Sequence, residues 1–473
     1  MSRSLSRRSQ HSGENLSRYD NRRGVQSTTK PEDQIAAVNM TGRQAGFLVL
    51  LVAAVRLVAA PPEPIQKPVK LLGLGENVDR EFAKLTDIGI TPSLTYYGVF
   101  QGNPVGGIQQ RTAYSQLILF GVELNFEKLV GLPGGSLTIS GAQAMGENLS
   151  SYIGNINTVS EAFVRPDTVL FYQLYWKQML FGDKLELRLG RMTPADQFAS
   201  VPAFALQVNG GINGNPTSLF VNAPFHSAPN ASWAASTKIQ ATNEFYVEGG
   251  IYQASQRLDN AGYHGLDFSI RANDGELTLG QIGWTPSFFA VSETPAFAEN
   301  GNKLSGMAGL PGSYILGGYY SNFKFPELNT SKIQHSAYGF YAMGQQMLSR
   351  SLIDPFRNFS VWAGLTFSPQ EDISLLPLMG FAGTIWQGVV TGRDRDQLLL
   401  TYLASDFSRS QTISVVGHGD HRPMVEHVLE AGYAIYISDN YTIQPDIQYV
   451  VRPNGVSAIR NSLVIGIQLI ASY

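Results

Sequence analysis

From about residue 90 to the end, large apolar and small or polar residues alternate with a period of two, in segments roughly ten residues long. That is the period of an extended strand with two chemically different faces. Sixteen such segments occur, at 93–101, 115–126, 136–145, 169–180, 184–192, 232–240, 245–254, 275–284, 313–322, 336–347, 358–368, 375–388, 397–407, 427–438, 441–452 and 462–473. The connections from the second segment on sort by parity, alternately short ("FGD", "ATNE", "DN") and long (146–168, 193–231, 256–274, 408–426). A transmembrane barrel sorts its loops this way, with short periplasmic turns and long extracellular loops, whereas a sandwich has no reason to. The pattern predicts an all-β antiparallel transmembrane barrel of about sixteen strands. One connection breaks the parity: 285–312 should be short and is not.

The last segment, "NSLVIGIQLIASY", stops on an aromatic residue in mid-alternation. Chain ends usually fray, but a closed barrel pairs its last strand with its first and leaves no edge. Tyr473 then falls where an interfacial aromatic belongs.

Composition agrees. Charged residues are only 15% of the chain, against roughly 25% in ordinary soluble domains, and there are 48 glycines, 46 Tyr and Phe together, and no cysteine. A disulfide framework and thiolate chemistry are therefore excluded. Residues 61–473 hold 25 of the 34 basic and 33 of the 37 acidic groups, a net charge of -8. That acidic body argues against a nucleic-acid partner. No run of 18 apolar residues follows residue 60, so no spanning helix is expected.

The front of the chain reads as three pieces. Residues 1–39, rich in Ser, Arg and Gln, have the composition of a disordered or untranslated extension. Residues 40–60, "MTGRQAGFLVLLVAAVRLVAA", resemble a signal peptide, although Arg56 interrupts the apolar stretch. Residues 61–91 would be a periplasmic segment with a short helix near 81–85, and 92–473 the barrel.

Three stretches carry a family resemblance: "FGVELNFEKLVGLPGGSLTIS" (120–140), "KLELRLGRMTPADQFAS" (184–200) and "YTIQPDIQYVVRPNG" (441–455). In this order, ahead of a terminal aromatic, they resemble the carbohydrate-selective, OprB-like outer-membrane porins, over roughly residue 85 to the end. Tyr473 in place of the usual Phe and the extended N-terminus depart from that pattern. The resemblance implies a sixteen-stranded pore in the outer membrane of a Gram-negative bacterium. It would pass sugars such as glucose by passive diffusion and contact outer-membrane lipids. It also implies that barrel-assembly machinery reads Tyr473. A homo-oligomer stays open, as does a general diffusion porin of the same fold. Further readings are a barrel enzyme and a secreted adhesin, but no nucleophile motif such as G-x-S-x-G occurs.

Strand alternation assigns faces. Leu185, Leu187 and Leu189 take lipid, sending Glu186 and Arg188 into the lumen. Tyr172, Leu174 and Trp176 face out, leaving Gln173, Tyr175 and Lys177 inside. Gln444, Asp446 and Gln448, and by the same logic Glu123 and Glu430, face in. A lumen suited to polyhydroxylated solutes pairs donors with acceptors, and the guanidinium fork bridges neighbouring hydroxyls. The expected sugar contacts are Glu186, Arg188, Arg191, Lys177, Glu430, Asp446, Gln448 and Glu123, with Asp196 on the longest loop, which would fold into the pore. Arg191 falls on the lipid-facing phase. The sequence "HGDHRPMVEH" (418–427) gathers three His, Asp420 and Glu426, but a loop lacks the ligand geometry of a metal site. Neither metal nor cofactor is expected, and Asp394 and Asp396 in "GRDRDQ" read as solvated turn charges.

Overall fold

Sixteen antiparallel strands close on themselves in the computed structural model, which describes residues 74–162, 168–289, 296–297, 303–304, 309–351, 354, 356–415 and 418–473. They are β1 (Ile90–Val105), β2 (Thr112–Asn125), β3 (Gly135–Gly146), β4 (Thr168–Leu180), β5 (Leu185–Met192), β6 (Ser232–Gln240), β7 (Phe245–Ala254), β8 (Gly275–Trp284), β9 (Leu310–Ser321), β10 (Ala337–Arg350), β11 (Asn358–Phe367), β12 (Leu378–Gln387), β13 (Gln397–Asp406), β14 (Val425–Tyr436), β15 (Tyr441–Val451) and β16 (Ser462–Ser472). Each pairs with its sequence neighbours, and β16 pairs with β1 from Thr95↔Ser472 to Val105↔Leu463. The seam finishes in reciprocal hydrogen bonds between the backbones of Leu94 and Tyr473, at 3.0 and 2.8 Å. The ladder thereby closes without a free edge, the condition for strands to cross a bilayer.

All sixteen expected segments are strands. β1 is longer than expected at both ends. The expected 81–85 helix is the middle of α1 (Leu74–Asp87), whose Asp79 carboxylate accepts a hydrogen bond from Asn440 in a periplasmic turn. The extension 1–39 and the signal-like 40–60 lie outside the described residues. In the parity-breaking connection, Ser287–Phe288 pairs with Leu310–Pro311, and Ala296–Phe297 with Lys303–Leu304. The described Ser287–Phe288 and Leu310–Pro311 therefore prolong the β8–β9 hairpin.

The outward phase is apolar: Phe100, Phe120, Leu189, Leu316, Phe340 and Ile465 are all exposed. Water-exposed, such a continuous surface would be an aggregation liability; in lipid it is the required girdle. One position departs from simple alternation. Between Ile139↔Leu174 and Gly141↔Phe171, β4 spends one more residue than β3. This bulge turns Tyr172 inward beside Gln173, so the expectation that Tyr172 faces lipid fails. A bulge places two residues opposite one and shifts the phase beyond it. Tyr172 is buried, next to Asp196.

The interior holds a hydrophobic core on one side. The 193–231 loop folds into the barrel, burying Phe198, Val201, Phe204, Ile212, Leu219 and Phe225 against Leu277, Ile315, Trp362, Met379, Phe381, Leu399 and Val428 of the inner wall. Phe204 sets its edge on Trp362 and Phe381 at centroid distances of 5.5 and 5.4 Å.

Candidate functional site

The remaining inner wall, on β2 and β4–β7, carries an alternating field of charge. The register places Lys177 beside Arg188 and that beside Ser236; one row away Glu186, Lys238 and Glu248 follow in line. Lys177 Nζ lies 3.0 Å from Glu123 Oε1, and Arg188 Nε 2.7 Å from Glu186 Oε1. All four side chains keep part of their surface open. The Arg188 guanidinium also stands 5.7 Å from the Tyr175 ring centre, and Lys238 Nζ 4.0 Å from that of Tyr246. Both are cation–π distances. Among the described residues no acceptor takes a hydrogen bond from the terminal Arg188 nitrogens.

Asp196 enters this field from the folded loop. It ends a one-turn helix, Pro194–Asp196, with proline supplying a preset φ at the start. Its Oδ2 accepts a 2.6 Å hydrogen bond from Gln173, and its charge is felt by Arg188. The Asp196 residue is exposed although it lies within the barrel; it borders open lumen. The structure thus brings Asp196 together with Gln173 and Arg188, Lys177 with Glu123, and Arg188 with Glu186.

Three expected contacts face inward but are covered. Glu430 Oε1 accepts the backbone N–H groups of Val208 and Asn209 at 2.7 and 3.0 Å. Gln448 accepts from the Asn209 amide and donates to the Val159 carbonyl and to Asp446. Glu430, Asp446 and Gln448 are each at most 4% exposed. They anchor loops instead of meeting solute, because the two inward-folded loops, 147–162 and 193–231, lie over this wall. Glu426 does the same for the first loop, accepting from the backbones of Ile156 and Asn157, the Asn157 amide and the Asn454 backbone.

Arg191 is not in the lumen. Its lipid-facing phase carries it outside, where the 255–274 loop folds back over the barrel rim. There the guanidinium donates to the carbonyls of Asp267 (2.6 Å) and Ala231 (2.9 Å) and covers the Phe268 ring at 4.7 Å. Among the described residues its hydrogen bonds go to backbone oxygens, so it is a loop clamp. Asp396, expected to be a solvated charge, is buried in a two-point pair with Arg393 at 2.8 and 2.9 Å. The His-rich stretch is pulled apart by alternation: Glu426 turns in, His427 turns out, and Asp420 bonds the Ser414 hydroxyl.

Lys238, Glu248, Gln197 and Gln281 were not singled out from the sequence. Gln197 bridges Ser236 and Glu248, and Gln281 donates to Glu248 at 2.9 Å. The alternation of the sixth and seventh segments put Lys238 and Glu248 on the lumen face, so both were findable; the two glutamines needed the loop's position.

A closed sixteen-stranded barrel with an apolar outside, a charged inner wall and a loop folded into the bore is the architecture of an outer-membrane porin. The model of the carbohydrate-selective porin OprB family matches residues 109–473, and the chain belongs to that family. It is 24% identical to Porin B of Pseudomonas aeruginosa over 82% of this chain and 88% of that protein. It is 21% identical to the putative porin QuiX of Acinetobacter baylyi, over 62% of this chain and 67% of that one. Among solved structures, Pseudomonas putida OprB in its high-pH form superposes with a TM-score of 0.74 at 21% identity, covering 84% of this chain and 97% of that one. The protein is a passive, carbohydrate-selective porin of the Gram-negative outer membrane.

Proposed function

We propose that mono- and small oligosaccharides such as glucose pass along the open β2–β7 wall, touching Arg188, Glu186, Lys177, Glu123 and Asp196. The observation that carries this reading is Arg188. One side of its guanidinium is held by Glu186 and its face is set by Tyr175, while among the described residues nothing accepts from the terminal nitrogens. A held fork with free donors meets adjacent sugar hydroxyls without first losing its own rotamer entropy. The acids beside it accept the hydroxyl protons that the arginine leaves over. Pairing each cation with a nearby acid also keeps the path close to neutral, which disfavours neither sign of ion strongly and suits an uncharged solute.

The test is swelling of liposomes carrying the purified protein, comparing glucose with an amino acid of similar size. Wild type should admit glucose faster. Arg188→Ala should keep the pore open but lose most of that preference, since a hydrogen bond to a charged group is worth about 1.5–3 kcal/mol. Unchanged discrimination in the variant sinks the assignment of Arg188, and equal rates in wild type would sink the whole set of contacts. Tyr473, at the closing seam beside Tyr441, is the residue we assign to recognition by the assembly machinery. Its position at the end of an alternating strand supports that role.

A further inference from the structure

The arginines of the periplasmic turns all have carboxylate partners: Arg357 pairs with Asp354 and Asp394, Arg393 with Asp396, and Arg395 with Asp439. Across the membrane, around the extracellular ends of β13–β16, the situation is reversed. Among the described residues Arg422, Arg452 and Arg460 enter no ion pair. Arg452 Nη2 instead donates to His427 Nε2 at 2.9 Å. With Nε2 accepting, the ring proton sits on Nδ1 and meets the Tyr402 hydroxyl at 2.8 Å. The imidazole lies nearly parallel to the Tyr402 ring, at 20° and 5.9 Å.

This chain stands on the outer wall. Glu426 and Val428 point into the barrel, so His427 points out, and Tyr402 on the neighbouring strand is exposed. Directly below, toward the bilayer middle, come Leu429 and Leu400, both exposed. A cation held by neutral partners thus caps an apolar column. Arg422 and Arg460 are exposed on the same rim. Arg422 lies two residues from Met424, whose sulfur the Arg452 guanidinium approaches at 3.9 Å. Arg460 adjoins Asn461, whose side chain accepts the Arg452 backbone N–H at 3.0 Å. Among the described residues neither Asp406, on the outward phase of β13, nor Asp420, which accepts from the Ser414 hydroxyl, pairs with any of them.

Fixing an arginine on a histidine, rather than on an acid, leaves its positive charge uncompensated. At a membrane interface this attracts anionic headgroups, and the leucine column beneath continues into the hydrocarbon, where acyl chains lie. The outer leaflet of this membrane carries a phosphorylated glycolipid. We propose that Arg452, held by His427 and flanked by Arg422 and Arg460, binds the phosphate groups of that glycolipid, with its acyl chains against Leu400 and Leu429.

The experiment uses the full-length protein in detergent and titrates bisphosphorylated lipid A while following the thermal unfolding midpoint. A ligand that binds only the folded barrel raises that midpoint. Wild type should respond, and Arg452→Gln should bind roughly fivefold more weakly, as expected for one interfacial cation. His427→Gln should show a smaller loss in the same direction, and Arg357→Gln, at the opposite rim, none. Glucose entry should be equal in all of them, so failure here is distinguishable from failure of the Arg188 reading. An Arg452→Gln response equal to wild type overturns the proposal. So does an equal shift from dephosphorylated lipid A, or from inorganic phosphate at the same concentration, the latter placing free phosphate rather than lipid at the rim.

Discussion

The inner face of the barrel has two halves built on one rule. On β2 and β4–β7, inward-facing Glu123, Lys177, Glu186, Arg188 and Lys238 stay partly open. On β14 and β15, inward-facing Glu426, Glu430, Asp446 and Gln448 are buried. Alternation put both sets inside with equal force. What separates them is the cover. The first half pairs Lys177 with Glu123 and Arg188 with Glu186 on its own wall and leaves the bore free. The second spends its carboxylates on backbone N–H groups of two loops that would otherwise enter a barrel with their polar groups unsatisfied. A buried carboxylate accepting two or more such bonds replaces the water those groups lose. In the proposed reading one half is therefore the path and the other a mount that keeps it narrow.

The comparison breaks most completely at the mount. Phe204→Ala removes the ring wedged between Trp362 and Phe381, and such truncations cost about 3–5 kcal/mol. The 193–231 loop should loosen, single-channel conductance should rise, and glucose preference should fall, with the barrel itself still resisting detergent at room temperature. Conductance unchanged from wild type would mean the loop is not what narrows the bore.

Glu426→Ala tests the first loop in the same way. It strips the acceptor from three backbone N–H groups and the Asn157 amide; leaving buried donors unpaired costs about 1–3 kcal/mol each. Amide exchange in 147–162 should accelerate more than in 193–231, which keeps its own anchor at Glu430. Equal acceleration in both would show that the loops move as one body. On the open half, by contrast, Lys177→Met should leave exchange in both loops unaltered.

The smallest effect concerns the clamp outside the barrel. Hydrogen bonds from the Ser269 hydroxyl and backbone hold the Asp267 carboxyl below its usual range, helped by Arg257 and Arg271. A depressed folded-state value stabilises the loop above the unfolded value of 3.8 and is lost as pH falls through the lower, folded value. Protease cutting within 255–274 should therefore be slow and constant from pH 7 down to about 4 and should rise only below that. Asp267→Asn should shrink the pH step, the remainder coming from Asp274, which is also held below its usual range. A step centred near neutrality would rule out this carboxyl as its source.

How much of this was legible depended on the scale at which each feature is written. Strand existence, strand number and the inward direction of Glu186, Arg188 and Gln448 follow from a period of two, which a sequence displays directly. The reversal at Tyr172 does not, because a bulge adds one residue without any signature in the alternation around it. The division between path and mount was invisible for a different reason. Alternation says which way Glu430 and Asp446 point but not what lies over them. That depends on 193–231, whose apolar residues have no strand period and find their partners only across sequence distances such as Phe204 to Phe381. Arg191 was readable in phase and misjudged in role, since an arginine among lipid-facing positions is explicable only once a loop folds back to meet it.

The seam between β1 and β16 joins residues 94 and 473, the widest separation along the barrel wall. Until that contact forms, the growing sheet presents two unpaired edges, each a ready template for joining another chain. No shorter portion of the chain escapes this condition, because every internal hairpin is complete before the ring is. Local pairing therefore comes cheaply and early, while the closing step waits on the final residues and on the slowest class of contact. The molecule is consequently most vulnerable to misassociation when it is almost finished, and a protein with this topology has to be chaperoned longest at the moment it most resembles its mature form.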